Sequence, residues 1–270
     1  MTWLVARVGI VVVAAISCGC GNSVKDIGVL VNTAGVTKES AGTSPREAPG
    51  RDVLPGTLRT IRAGDLLGDD RPETIVESEE RKSLEVRGEN GQVAKVPFED
   101  YIADFTVVPG NGEANGSLVV HTYPNSQGGS TFTVLGFPGA RTLATWDEKP
   151  PASQGVHAGA WNGSVAIFYL AGDTVVIRGP RGEAVARLPL RGATAFSRIY
   201  TVSLGGERTA AALSGDGYTP YHAVAIFDRD GTLLFHEQAP EHAFSVTSDG
   251  ESAFRVETRS EVWRYQMASR

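Results

Sequence analysis

An all-β fold, a β-propeller of about five four-stranded blades, is the fold class that this 270-residue sequence predicts. The main observation is a repeat: four segments of alternating apolar residues each turn back on themselves at a glycine. Those glycines, Gly91, Gly139, Gly182 and Gly231, lie 48, 43 and 49 residues apart. A period of about 40–50 residues with antiparallel hairpins is typical of propeller blades. The second observation is the supply of 32 glycines and 14 prolines, which suits many short strands joined by turns.

The hairpins themselves have the sequences SLEVRGENGQVAKVPF, TFTVLGFPGARTLATW, TVVIRGPRGEAVARLPL and AVAIFDRDGTLLFHE. Their turn glycines favour tight hairpins because glycine adopts a positive φ without steric cost. Two shorter apolar strands are predicted ahead of each hairpin, which gives four strands to a blade. The predicted bounds of these strands are 60–66 and 74–77, 105–108 and 117–121, 156–161 and 165–170, and 199–204 and 209–213.

A fifth blade is predicted to be shared by the two ends of the chain. After residue 240 the sequence supplies about three strands and no fourth. A propeller closes when strands from both ends share one blade, so the missing strand is expected from residues 27–31 or 53–54. A β-sandwich or an open array of two-sheet repeats is the alternative architecture, although neither explains so even a hairpin spacing.

The N-terminus, MTWLVARVGIVVVAAISCGCGNS, is typical of a secretory signal peptide. One basic residue, Arg7, precedes an apolar run over 8–16 that is too short for a lasting transmembrane helix. AAISC resembles the lipobox of bacterial lipoproteins, whose cysteine is acylated and becomes the first mature residue. The resemblance implies a signal peptide over 1–17 and acylation of Cys18, or of Cys20 instead. It also implies the cell envelope, and the outer membrane in a two-membrane cell, because no Asp follows either cysteine. An ordinary secreted protein or an N-terminal anchor helix is the alternative.

Composition sets the domain limits and excludes one class of partner. Residues 18–56 are predicted to be the lipidated N-terminus and a flexible tether, since they are rich in Ser, Pro, Gly and charge. The propeller domain is predicted over 57–270. Both cysteines of the chain lie before it, so burial rather than disulfides must stabilise the domain. A net charge of −6 without a dense basic run argues against binding to nucleic acid.

One loop of the first blade, GDLLGDDRPETIV at 64–76, suggests calcium. It resembles the loop of the FG-GAP/VCBS repeat family, D-x-D-G-D-G-x-x-D before an apolar strand, and that family builds propellers. The resemblance implies ligands from Asp65, Asp69 and Glu73 and from the backbone carbonyl of Arg71, since Ca²⁺ takes six to eight oxygens. Leu67 departs from the family pattern because it replaces a ligand oxygen. The alternative is a turn in which Asp65 caps backbone N–H groups.

Function is predicted from the remaining features. The sequence contains no G-x-S-x-G, P-loop or H-E-x-x-H motif. Tyr123, Tyr218 and Tyr221 lie in long connections on the face opposite the calcium-type loop, and tyrosine is a frequent interface anchor. We therefore predict a lipid-anchored envelope propeller that binds a protein or a glycan. The alternatives are a surface carbohydrate-active enzyme, a glycosidase or lyase in which Asp65 and Asp104 share one cavity, and a passive spacer.

Overall fold

The computed structural model describes residues 25–26, 31–44, 60–62, 65–67, 71–91, 93–110, 116–123, 128–149, 152–191, 198–214, 222–239 and 241–268. These residues form 22 strands in five sheets. Each sheet has a core of four antiparallel strands, which confirms the predicted β-propeller of five blades. Within those ranges, no helix has the length and apolar character needed to cross a bilayer.

The strands have the following bounds. In chain order they are β1 (Lys25–Asp26), β2 (Val31–Asn32), β3 (Thr37–Thr43), β4 (Thr60–Arg62), β5 (Thr74–Glu77), β6 (Ser83–Arg87), β7 (Val93–Pro97), β8 (Ile102–Val108), β9 (Ser117–Thr122), β10 (Ser130–Gly136), β11 (Arg141–Glu148), β12 (Ala152–Trp161), β13 (Ser164–Ala171), β14 (Thr174–Arg178), β15 (Ala184–Arg191), β16 (Arg198–Leu204), β17 (Arg208–Ser214), β18 (His222–Phe227), β19 (Leu233–Ala239), β20 (Ala243–Ser248), β21 (Ala253–Thr258) and β22 (Glu261–Gln266). Blades 1 to 4 are β4–β7, β8–β11, β12–β15 and β16–β19, and blade 5 is β20–β22 with β3.

All four predicted hairpins are confirmed as the third and fourth strands of blades 1 to 4. Their turn glycines adopt the expected positive φ, +82° at Gly91, +94° at Gly139 and +84° at both Gly182 and Gly231. Gly182 also permits a close approach between blades, because a Cβ there would lie 2.6 Å from the ring of Trp146. The first strand of blade 1 is shorter than predicted and ends at Arg62.

The strand that closes the ring is β3, so the prediction of residues 27–31 or 53–54 for this role was wrong. It pairs antiparallel with β22 from Thr43 opposite Glu261 to Thr37 opposite Gln266. Just before it, Val36 is buried against the core of blades 4 and 5. Strand β3, which lies within the segment predicted to be a flexible tether, is therefore part of blade 5. The sequence TKESAGT did not predict this strand, because it has no alternating apolar pattern. The strand forms the outer edge of blade 5 and is exposed at most positions.

The hydrophobic core lies between successive blades. Each of four buried clusters combines residues from two neighbouring sheets, blades 1 and 2, 2 and 3, 3 and 4, or 4 and 5. Strand β9 shows why: Leu118 and Val120 pack toward blade 1, whereas Val119 between them packs toward blade 3. Successive side chains of a strand point to opposite faces of its sheet. A middle strand of a blade is therefore apolar on both faces, as the run of six buried residues in β9 shows.

The first strands of the blades line the centre of the ring, where β8, β12, β16 and β20 contact one another in succession. This position leaves one edge of each first strand without a ladder partner, and unpaired edge groups are costly. Side chains of the neighbouring blades satisfy them on β12. The Val156 N–H donates to Asp104 Oδ2 at 2.9 Å, and the Ala160 N–H donates to Thr201 Oγ1 at 3.0 Å.

A polar clamp joins blades 2 and 3 farther from the axis. The Tyr169 hydroxyl donates to Glu148 Oε2 at 2.7 Å, and the Arg187 guanidinium bonds the other carboxylate oxygen at 2.8 Å. Tyr169 is fully buried and Glu148 nearly so, so the guanidinium compensates a carboxylate that burial would otherwise destabilise. The Arg178 guanidinium and the Trp146 indole N–H both donate to the tyrosine oxygen.

Blades 4 and 5 repeat this arrangement around the closing strand. The Tyr265 hydroxyl donates to Glu237 Oε1 at 2.7 Å, and the Lys38 ammonium bonds the same oxygen at 2.8 Å. Lys38 also lies 4.2 Å from the ring centroid of Trp263. In both clamps a glutamate on the fourth strand of one blade binds a tyrosine and a cation of the next blade. The second clamp attaches β3 to the rest of the ring.

Burial raises the pKa of Tyr169 to about 12, and this shift makes stability depend on alkaline pH. The unfolded tyrosine ionises near pH 10. The folded state therefore holds its proton more tightly, so its contribution is complete below pH 10 and is lost as the pH rises toward 12. We expect unfolding free energy to fall by roughly 2–3 kcal/mol over that range from this group. Urea unfolding at pH 9 to 12 measures this loss. Tyr169→Phe should reduce the slope without abolishing it, because burial also raises the pKa of Tyr265. The exposed Tyr123→Phe should leave the slope unchanged.

Candidate functional site

The two faces of the ring carry different connections. In each antiparallel blade, the turns between first and second and between third and fourth strands lie at one end. The connections between second and third strands and between blades lie at the other end, here called the upper face. Residues 65–73 therefore lie on the lower face, and Tyr123, just after β9, lies on the upper face, as predicted.

Two exposed tyrosines are neighbours on this upper face. Tyr101, just before β8, has 56% of its surface exposed, and Tyr123 has 44%. The Tyr123 N–H donates to the Tyr101 carbonyl at 2.9 Å, so the backbone fixes the two residues side by side. The Lys82 ammonium, from the β5–β6 connection, lies 4.9 Å from the Tyr101 ring centroid. We call Tyr101, Tyr123 and Lys82 the Tyr101–Tyr123 patch; it spans blades 1 and 2.

The connection that carries Lys82 is held in place by its own hydrogen bonds. Ser78 Oγ accepts from the N–H groups of Lys82 and Ser83 at 3.2 and 3.1 Å. Arg81, which directly precedes Lys82, adopts a φ of +55°, which is unusual for a residue with a side chain. Its guanidinium bonds Glu77 and the carbonyl of Ala103 in blade 2. A surface fixed in this way loses little conformational entropy when a partner binds.

The surroundings of the patch are mainly acidic. Glu79 and Glu80 are exposed in the connection that contains Lys82, and Glu99 and Asp100 directly precede Tyr101. The nearby cations already have partners, since Lys82 faces the Tyr101 ring and Arg81 bonds Glu77. Exposed aromatic rings among carboxylates are suited to a partner that presents apolar and basic groups, which bind by ring contact and by charge.

Of the three tyrosines predicted to bind a partner, the structure places Tyr123 in an exposed patch. Tyr218 and Tyr221 lie outside the described residues. Tyr101 was not predicted, because it lies between β7 and β8 and not in one of the long connections between second and third strands. The signal was present, because an aromatic residue stands alone in the polar stretch EDY between two predicted strands.

The loop predicted to bind calcium is described in part. Glu73 is fully buried, and its Oε2 accepts the Leu66 N–H at 2.5 Å. Leu66 and Leu67 are buried in the core of blades 1 and 2. The departure of Leu67 from the calcium pattern thus has a packing role, because its side chain fills the interface between blades. Asp65 directly precedes the buried Leu66, and Arg71 is exposed two residues before Glu73. Asp69 lies outside the described residues.

These residues fit a calcium site only in part, since one Glu73 oxygen already closes the loop and Leu67 supplies no ligand. Among the described residues, no three His, Cys, Asp or Glu side chains converge as metal ligands would. Calcium binding stays a prediction, since Asp69, one of its predicted ligands, lies outside the described residues.

A melting experiment tests that prediction. A ligand that binds only the folded state stabilises it by RT ln(1 + [L]/Kd). Millimolar Ca²⁺ should therefore raise the melting temperature relative to EDTA, and Asp65→Asn should remove the rise. Equal melting temperatures with and without calcium would leave a turn that Glu73 closes without metal.

Asp104, the other carboxylate considered for catalysis, has a structural role. Only 8% of its surface is exposed, and its Oδ2 holds the Val156 N–H of the next blade's first strand. A glycosidase needs two carboxylates that reach the substrate from opposite sides of the bond. The position of Asp104 in the contact between blades 2 and 3 does not meet that requirement.

Comparisons with known proteins identify the fold. No protein-family model matches the sequence. No curated protein matches it either. Among solved structures, BBS1N in complex with ARL6DN is similar with a TM-score of 0.51 at 13% identity, covering 89% of this chain and 77% of that one. Virginiamycin B lyase from Staphylococcus aureus gives 0.51 at 10% identity, covering 77% and 66%. The Dos1 propeller gives 0.51 at 12% identity, covering 78% and 55%. At these identities the likeness establishes the β-propeller fold alone.

Proposed function

We propose that this protein is a lipid-anchored β-propeller of the bacterial cell envelope that binds a protein partner through the Tyr101–Tyr123 patch. The patch is the observation that carries the proposal. Of the five large apolar residues that are exposed in the described part of the chain, the two tyrosines are neighbours on one face. Tyrosine anchors protein interfaces because its ring offers a wide contact area and its hydroxyl a polar group.

The fold and the surroundings agree with a protein partner. The BBS1N propeller was solved in complex with ARL6DN, so a propeller of this general shape can present a protein-binding surface. Carboxylates around the patch favour a segment with Lys or Arg over a neutral glycan. We expect binding to weaken as salt rises, since exposed charges are screened within about 8–10 Å at physiological ionic strength.

The patch has a direct mutational test. Tyr101→Ala with Tyr123→Ala should reduce partner binding at least about tenfold, because a central tyrosine at an interface contributes on the order of 1–2 kcal/mol or more. Leu143→Ala is the matched control: Leu143 lies in the same blade at 39% exposure, but near the β10–β11 turn of the lower face. Formaldehyde crosslinking in cells, followed by quantification of the crosslinked complex, measures partner binding in the double tyrosine variant and in Leu143→Ala. Equal losses in the two variants would refute the patch.

The anchor has a separate test. The lipobox-like AAISC segment motivates it, and acyl chains hold a protein to a bilayer through about 0.8 kcal/mol per buried CH₂. Cys18→Ala with Cys20→Ala should move the protein from the membrane fraction to the soluble fraction. Continued membrane association of that double variant would refute lipid anchoring and leave the patch proposal standing.

A further inference from the structure

The N-terminal segment runs along the outer rim of the ring. β1 pairs in parallel with β15, the outer strand of blade 3. β2 pairs antiparallel with β19, the outer strand of blade 4, and β3 completes blade 5. We call β1, β2 and β3 together the rim strap. Its three strands pair with the rims of three successive blades, and blade 3 is the first of these along the described part of the chain.

Hydrogen bonds fix the middle of the rim strap. The Thr33 N–H and hydroxyl both donate to the Leu234 carbonyl in β19, at 2.9 and 3.0 Å. The Asn32 side chain bonds the Val36 backbone in both directions, at 2.7 and 2.9 Å, and Val36 is buried. The segment between the proposed anchor and the first strand of the rim strap is short. Cys18 precedes Lys25 by seven residues, which span at most about 25 Å.

The two outer strands of blade 3, with the turn between them, have the most positive net charge of the outer strand pairs in the five blades. Residues 174–191 contain four arginines and one glutamate, a net charge of +3 in a chain whose net charge is −6. The corresponding pairs of outer strands carry 0 in blade 1, −1 in blade 2, −2 in blade 4 and 0 in blade 5. Arg181 is exposed at the blade 3 turn, and half of the Arg187 side chain is exposed.

We propose that the rim of blade 3 rests on the membrane and that the exposed Arg181 at its turn contacts anionic lipid headgroups. The rim strap delivers the acylated end of the chain to this blade, and basic residues near a membrane surface are attracted to anionic lipids. The ring then stands with its axis along the membrane plane. Blades 5 and 1 lie on the far side, so the Tyr101–Tyr123 patch at the junction of blades 1 and 2 remains open to a partner. This inference rests on the lipid anchor of the proposed function.

Two exposed valines on equivalent outer strands provide the test. Val185 in β15 of blade 3 is 48% exposed, and Val93 in β7 of blade 1 is 55% exposed. Each is changed to cysteine and labelled with a fluorophore in the full lipoprotein, with the native cysteine that is not acylated replaced by Ser. The protein is reconstituted in phosphatidylglycerol–phosphatidylcholine vesicles that contain a headgroup quencher.

We expect clear quenching at position 185 and none beyond the quencher-free control at position 93. Arg181→Glu should reduce the difference, and phosphatidylcholine vesicles should do the same. The matched variant Arg229→Glu, at the turn of blade 4 with 74% of its side chain exposed, should leave it unchanged.

Equal quenching at the two positions, in protein that still sediments with vesicles, would overturn the rim proposal and leave the anchor intact. A difference that neither Arg181→Glu nor neutral lipid alters would also overturn it, because headgroup charge would then have no part. Protein that fails to sediment with the vesicles would overturn the anchor, and the rim proposal with it.

Discussion

Deleting residues 1–44 should destabilise the propeller by at least about 4 kcal/mol relative to deleting residues 1–24. The longer deletion removes β3, which leaves blade 5 with three strands and exposes the edge of β22. It also uncovers the core beside Val36 and leaves Glu237 without Lys38. Urea unfolding of the two variants measures the difference. Equal midpoints would contradict the assignment of β3 as the closing strand.

A point substitution separates the clamp from the strand itself. Lys38→Met retains most of the side-chain volume and the backbone pairing of β3, and removes the cation from Glu237 and Trp263. We expect a loss of about 1–2 kcal/mol, since the pair is partly solvated. A loss as large as that of the whole deletion would mean that the clamp, and not the strand, closes the ring.

Phe132→Ala should cost about 3–5 kcal/mol of unfolding free energy. Phe132 is fully buried between blades 2 and 3, with ring centroids 4.2 Å from Tyr169, 4.6 Å from His121 and 5.3 Å from Trp146. Its loss opens a cavity at the base of the Tyr169 clamp and removes three stacking contacts, which contribute beyond their buried area.

Urea unfolding of Phe132→Ala measures this cost, with Phe132→Leu as the control. Leucine keeps most of the volume but none of the stacking, so it should cost less than half as much. If the leucine and alanine variants are equally unstable, ring stacking rather than cavity formation dominates. If the alanine variant costs less than about 1 kcal/mol, the contact between blades 2 and 3 does not depend on this ring.

Periodicity predicted most of the fold because it reports directly on burial. Hairpins with a turn glycine and alternating apolar residues, such as the one at Gly182, were placed correctly. Strand β3 was not, because an outer strand with one side toward water has no apolar pattern to detect. Closure also joins Thr37 to Gln266 across more than two hundred residues, and local propensity contains no information about such a pairing.

The candidate site was predictable only in part for a similar reason. Tyr123 was found because its connection is long, but Tyr101 lies in a short passage between blades. That the two are neighbours depends on the pairing of β8 with β9 and on the bond between the Tyr123 N–H and the Tyr101 carbonyl. In the calcium-type loop, the residues could be compared with the family pattern, but the burial of Leu67 required the packing of blades 1 and 2.

Site-specific photocrosslinking in intact cells tests the central claim most directly. A photoreactive phenylalanine derivative replaces Tyr123 in one strain and Leu143 in another. Binding through the Tyr101–Tyr123 patch predicts one discrete protein adduct from position 123, weakened by Tyr101→Ala, and none from position 143. Adducts of the same mass and yield from both positions, or none from position 123, would contradict it.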